Sequence, residues 1–237
     1  MLFVQFEPLR ALRAARILAA NPDDLPQVFT IIESLSGLTL WRTTRRMRSD
    51  ETGARLLAAR PDIVKLLEDR AALAKLPEGS LGRAYLAFVE RENISAQGIR
   101  EAAAQGMERA SSMPPPLDWT YARLRDTHDL WHAATGYSGD LLGETALLAF
   151  IFAQMGNPAI GLILAIGISQ TFTAPQRGAA DRRTILDGFR RGLTAKWLPA
   201  QDWESLLALP LGEVRRKLGL EAPAVYRELR VHELKAA

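Results

Sequence analysis

Two of the chain's three histidines stand four residues apart, in His128-Asp129-Leu130-Trp131-His132, and Glu144 follows at the head of the next apolar stretch. In a helix each residue turns by about 100°, so His132 lies one turn beyond His128 and about 40° around, with Asp129 about 60° from His132. Two imidazoles and a carboxylate then share one face. Glu144 precedes a run from Thr145 to Gln176 that contains no charged residue. Burying a lone carboxylate there costs several kcal/mol, and coordinating a cation removes that cost. His128, Asp129, His132 and Glu144 therefore read as a divalent-metal site. Nitrogen and oxygen donors suit zinc, and equally iron(II) or manganese. The competing reading pairs Glu144 with Arg123 or Arg125 and leaves the histidines exposed. A zincin peptidase would place Glu directly after its first His as general base. Asp129 holds that position here, which argues against a peptidase.

The elements that must position these side chains are helices. Apolar residues recur at three- and four-residue spacing, and strand-like alternation is scarce. Helices are expected over roughly 8–20, 24–36, 51–59, 61–69, 80–91, 94–109, 118–135, 140–155, 157–171, 179–194 and 203–209, with short ones after that. Gly136-Tyr137-Ser138-Gly139 ends the first ligand helix, and Asp140 caps the second, bringing Glu144 back antiparallel. Asn21-Pro22-Asp23-Asp24, Pro61-Asp62 and Asn157-Pro158 supply further helix starts. The expected fold is all-α, a single-domain multi-helix bundle over residues 1–237 with an apolar internal groove. The proline-rich break at 111–117 is not a domain boundary.

Composition bounds the chemistry. With 237 residues, 48% of them apolar, the chain can bury one sizeable core. Absence of cysteine excludes disulfides, thiolate nucleophiles and iron–sulfur clusters. Net charge is +3, and arginines cluster at Arg42, Arg45, Arg46 and Arg48 and at Arg177, Arg182 and Arg183. No nucleic-acid module accompanies them, so nucleic acid is not an expected partner. The charge-free stretch is split by Gly156-Asn157-Pro158; its first half is too short to cross a bilayer and its second carries Gly161, Gly167, Ser169 and Gln170, so it reads as two buried helices. No targeting segment is evident in the first residues.

The spacing His-Asp-x-x-His, eleven residues, then Glu resembles the motif of the Coq4 family of coenzyme Q biosynthesis proteins. THDLWHAATG from Thr127, GETALLAFIFAQMG from Gly143, LPEGSLGRAYLAF from Leu76, ARPDI from Ala59 and VRRKLGLEAPAVY from Val214 are similar to family segments too. The likeness runs over roughly residues 24–230, leaving residues 1–23 outside it.

That resemblance implies an all-α protein of ubiquinone biosynthesis with a bound metal, usually zinc. It implies oxidative decarboxylation of a polyprenylated hydroxybenzoate, the C1 carboxyl being replaced by hydroxyl, in a decarboxylase-type lyase. The alternative is a lipid-binding scaffold that organises the other coenzyme Q enzymes around a structural metal. Either role implies a peripheral contact with the cytoplasmic face of the inner membrane, for which the Arg42–Arg48 cluster is one candidate surface, and self-association as a homodimer. Arg125, one turn before His128, is a candidate for the substrate carboxylate. Tyr137 and Asp140 are weaker acid–base candidates.

Overall fold

The structure, a computed structural model, describes residues 6–22, 24–107, 113–172 and 178–236, with side chains as far as Arg230. Expectations that involve Asp23, Ser111, Ser112, Thr173 to Gln176 and Arg177 fall outside those residues. The described chain folds into helices α1 (Pro8–Ala20), α2 (Leu25–Leu35), α3 (Gly37–Arg48), α4 (Glu51–Ala59), α5 (Val64–Leu67), α6 (Arg70–Ala74), α7 (Leu81–Glu92) and α8 (Ala96–Gly106). There follow α9 (Leu117–Asp126), α10 (His128–Thr135), α11 (Leu141–Met155), α12 (Pro158–Phe172), α13 (Gly178–Thr194), α14 (Trp203–Leu206), α15 (Leu211–Leu218) and α16 (Ala224–Ala236). No strand forms among the described residues, and the fold is all-α as expected.

Two expectations fail for identifiable reasons. Residues 118–135 make two helices rather than one, parted at Thr127, which keeps a helical conformation while its hydroxyl donates to the Arg123 carbonyl at 2.8 Å. Residues 37–48 carry no expected helix yet form α3. Its β-branched threonines weaken local propensity. Tertiary packing reverses that: Thr39, Thr43 and Thr44 are buried, and the Thr44 and Thr120 hydroxyls meet at 3.0 Å. Capping is partly as expected. Asp140 accepts from the Gly143 amide, and Asn157 accepts from Ala159. At α2, however, the flanking residue is Asp24 rather than Asn21.

The largest apolar core joins α7, α10, α11, α14, α15 and α16, with Tyr85, Trp131, Phe150 and Trp203 at its centre. It draws on residues from both sides of the 111–117 break. Helices α11 and α13 lie against each other because α13 offers glycine at the contact. A Cβ on Gly188 would stand 2.4 Å from the Ala146 carbonyl oxygen, and one on Gly192 2.4 Å from that of Phe150. Two arginines fix the end of α10. Arg215 donates to the Ala134 carbonyl at 2.8 Å and Arg191 to that of Thr135 at 2.9 Å, placing cations on the negative end of the helix. None of the described helices is long and apolar enough to cross a membrane.

Candidate metal centre

The αL conformation of Gly136 (φ +87°) stops α10, and four residues later Asp140 starts α11, so Glu144 lands opposite the two imidazoles. His132 Nε2 stands 3.1 Å from Glu144 Oε1, His128 Nε2 3.5 Å from Oε2, and the two Nε2 atoms 3.3 Å apart. Donor atoms 2.0–2.1 Å from a tetrahedral ion lie about 3.3–3.4 Å from one another. The two imidazole nitrogens stand at that spacing, and Glu144 faces the pair with one carboxylate oxygen toward each, Oε1 to His132 and Oε2 to His128. His132 is held ready for that role: its Nδ1 meets the Tyr137 carbonyl at 3.2 Å, and its ring stacks on Phe88 at 5.0 Å between centroids. An Nδ1–H donated to that carbonyl leaves the Nε2 lone pair free for a cation.

Asp129 does not join this set. His128, His132 and Glu144 are the three whose ligand atoms all lie within 4.8 Å of one another among the described residues. One residue further along the helix means a turn of about 100°, and the short Asp129 side chain stays beside the trio. It is 5% exposed and lines the adjoining cavity. Burial pushes its carboxyl up, against the pull of His128 and His132. The pairing of Glu144 with arginine does not occur. Arg123 bonds Glu204, at 2.7 Å through one of its nitrogens, and Arg125 bonds Asp126 at 2.7 Å.

His128 and Glu144 form part of the wall of a cavity of about 1190 Å³, while the fully buried His132 does not line it. Thr145, Leu148, Ile151, Ile160 and Ile163 form one side, as the charge-free stretch implied. The other side, Leu25, Val28, Phe29, Ile32 and Leu40 of α2 and α3, was not singled out in sequence; its only signal was apolar spacing at 25, 28, 29 and 32. Arg125 lines the same space.

The family model described as coenzyme Q (ubiquinone) biosynthesis protein Coq4 matches residues 7–224. The chain belongs to the Coq4 family. Its relatives include the mitochondrial ubiquinone biosynthesis proteins coq4 of Aspergillus terreus, 33% identical over 196 residues, and COQ4 of Meyerozyma guilliermondii, 32% identical over 197. Each alignment covers 81% of this chain but only 63% and 58% of those proteins, so the chain spans about 60% of their length. A crystal structure of a candidate ubiquinone biosynthesis protein from Nostoc punctiforme has the same fold, with a TM-score of 0.67. It is 24% identical and aligns over 92% of this chain and 100% of that one. The match extends the likeness read from sequence through α1.

In this Coq4 chain, Tyr137 and Asp140 lie in the turn between the two ligand helices, and neither lines the cavity. The Tyr137 ring is 1% exposed, with the Arg191 guanidinium 4.9 Å from its centroid. The Tyr226 hydroxyl donates a short hydrogen bond to Asp140, accepts from the Ser138 amide at 3.2 Å, and its ring packs edge-on to Tyr137. Tyr226 thus pins the turn whose carbonyl orients His132. Tyr226→Phe should weaken metal binding about ten-fold, as losses of supporting contacts around a metal do. Competition with a chromogenic chelator measures it, and an unchanged affinity would show that the turn holds its shape without the hydroxyl.

The charges of the trio give a pH prediction. Burial opposes the charge on His128, but the hydrogen bond to Glu144 and the negative charges of Glu144 and Asp129 together outweigh it and raise the imidazole above its ordinary 6.5. Burial likewise opposes the Glu144 carboxylate, yet His132 and His128 hold it far below its ordinary 4.5. In the metal-free protein the depressed carboxyl contributes stability above pH 4.5, lost as pH falls through its folded value. The raised imidazole contributes stability below pH 6.5, lost as pH rises through its own. A metal needs the neutral imidazole, so below the raised value affinity should fall about ten-fold per pH unit. The rise in Tm on adding metal should therefore grow from pH 5.5 to pH 8; scanning calorimetry with and without metal checks it.

Proposed function

We propose that this chain catalyses the metal-dependent oxidative decarboxylation of a polyprenylated hydroxybenzoate in coenzyme Q biosynthesis. The observation that carries this reading is the pair of imidazole nitrogens 3.3 Å apart with the Glu144 carboxylate against both, where His128 and Glu144 line a large apolar cavity. Three protein ligands leave a fourth position for substrate or water, the arrangement of catalytic rather than closed structural sites. The cavity suits a prenyl tail, whose isoprene units replace water against Leu148, Ile151, Ile160 and Ile163. A ring at the His128 end then lies beside Arg125, a cation for its carboxylate, tied through Nε to Asp126.

A bound divalent ion, zinc or alternatively iron(II) or manganese, would supply Lewis-acid polarisation of a ring oxygen. The residues themselves orient. Phe88 and the Tyr137 carbonyl lock His132, while His128 and Glu144, 25% and 39% exposed at their side chains, face the open side. Apolar walls exclude water from the reacting carbon. The stoichiometry closes with one dioxygen per substrate: the ring becomes a benzoquinone, and carbon dioxide and water leave.

The test follows carboxyl-labelled prenyl hydroxybenzoate. Labelled carbon dioxide should appear in air with the metal-loaded protein and not under anaerobic conditions or after chelation. Release without oxygen would discard the oxidative reaction. A protein that binds metal and prenyl lipid but releases nothing in air would favour the scaffold that organises other coenzyme Q enzymes.

A further inference from the structure

Helix α1 has two stripes at helical spacing. Ala11, Ala14, Ala15 and Leu18 are buried, and Leu18 lines the cavity. Leu9, Leu12, Arg13, Arg16 and Ile17 repeat the same i, i+3, i+4, i+7, i+8 spacing on the outward side. An outward stripe in a water-soluble helix should be polar. Here Leu9 is 71% exposed, Leu12 49% and Ile17 47%, and Phe6 just before the helix 66%. From Pro8 to Pro22 there is no acidic residue. Arg10 is engaged with Glu7 and Glu33, whereas among the described residues Arg13 and Arg16 have no carboxylate partner.

We propose that this outward face of α1 lies on an anionic phospholipid bilayer, its leucines and isoleucine in the headgroup–acyl boundary and Arg13 and Arg16 at lipid phosphates. Exposed apolar side chains interleaved with unpaired arginines are what an interfacial helix presents. A second copy of the chain fits worse, since a two-fold contact would bring four arginines together with no carboxylate on the face. The arginines of α3 offer a poorer surface. Arg45 and Arg46 lie over Trp41 and Trp197, and Leu38 is the one large apolar residue of α3 that is exposed. The contact also has a use. Helix α1 runs directly into Pro22 and Leu25, which are exposed and line the cavity. A bilayer under α1 therefore lies next to the cavity rim, where a prenyl lipid would enter. This deepens the proposed function by naming the surface that takes substrate, and it rests on a different measurement.

That measurement is co-sedimentation with phosphatidylcholine vesicles, with and without phosphatidylglycerol. The wild-type chain should partition onto the anionic vesicles and release as salt is raised. Leu9→Asp with Leu12→Asp should lower the partition at least about ten-fold. Arg13→Gln with Arg16→Gln should lower it about five-fold per arginine, while Arg45→Gln with Arg48→Gln, an equal change of net charge, leaves it nearly unchanged. Helical content and metal content should stay at wild-type values in all three, since these side chains are exposed. Wild-type partition by both α1 variants would overturn the proposal. So would an equal loss from the α3 variant, or a wild-type dimer that the leucine variant makes monomeric while vesicle binding persists. Failure of decarboxylation in detergent would count against the proposed function and leave this result standing.

Discussion

His132→Ala is expected to lose bound metal almost completely and to reduce the proposed decarboxylation by at least about a thousand-fold. The side chain is fully buried, 0% exposed, with one nitrogen committed to the Tyr137 carbonyl and the other 3.1 Å from Glu144. Apparent binding energies of about 10–16 kcal/mol for four-ligand zinc sites imply roughly 3 kcal/mol or more per ligand, hence a hundred- to thousand-fold loss of affinity. The variant also removes a ring stacked on Phe88 and should be less stable. Glu144→Ala, open to the cavity and 39% exposed, is the companion that loses metal without loss of packing. Decarboxylation that survives His132→Ala at a tenth of the wild-type rate would remove the metal from the chemistry.

Gly188→Val should destabilise the chain by about 3 kcal/mol, with a fall in Tm of roughly 6–12 °C for a protein of this size. Helix propensity alone favours almost any residue over glycine. The contact decides otherwise, because a Cβ would stand 2.4 Å from the Ala146 backbone oxygen, which has no rotamer to yield. Helix α13 must back away from α11, and α11 carries Glu144 two residues before Ala146. Thermal melts should thus show lower stability together with weaker metal binding. Gly212→Ala, in α15 with nothing within 4 Å of the new carbon, should instead leave Tm unchanged or raise it slightly. A stable Gly188→Val protein would mean that α11 and α13 do not touch this closely.

What sequence revealed of the site was its local chemistry. The His128–His132 spacing, the glycine stop at 136, the Asp140 cap and the return of Glu144 are all encoded within twenty residues, and all stand as read. The all-α fold and the break at Asn157-Pro158 were legible for the same reason. What escaped was set by distant partners. Asp129 fell in with the ligands on a helical wheel, but the angular position that suffices for a face does not bring a short side chain to a point. The clamps Arg191 and Arg215, the Tyr226 hydroxyl and the Phe88 ring reach the site from elements 40 or more residues away. Nothing in their own neighbourhoods marks them. Helix α3 was missed because its threonines oppose a helix locally and only burial against α9 favours it.

The account centres on a cation held by side chains from α10 and α11. Elemental analysis of the purified protein, beside Glu144→Ala prepared identically, tests it most directly. We expect about one divalent ion per chain in the wild type and less than about a tenth of that in the variant, with equal helical content. A wild-type protein that takes up no metal when offered zinc, iron(II) or manganese, or a Glu144→Ala protein that holds as much, would contradict it.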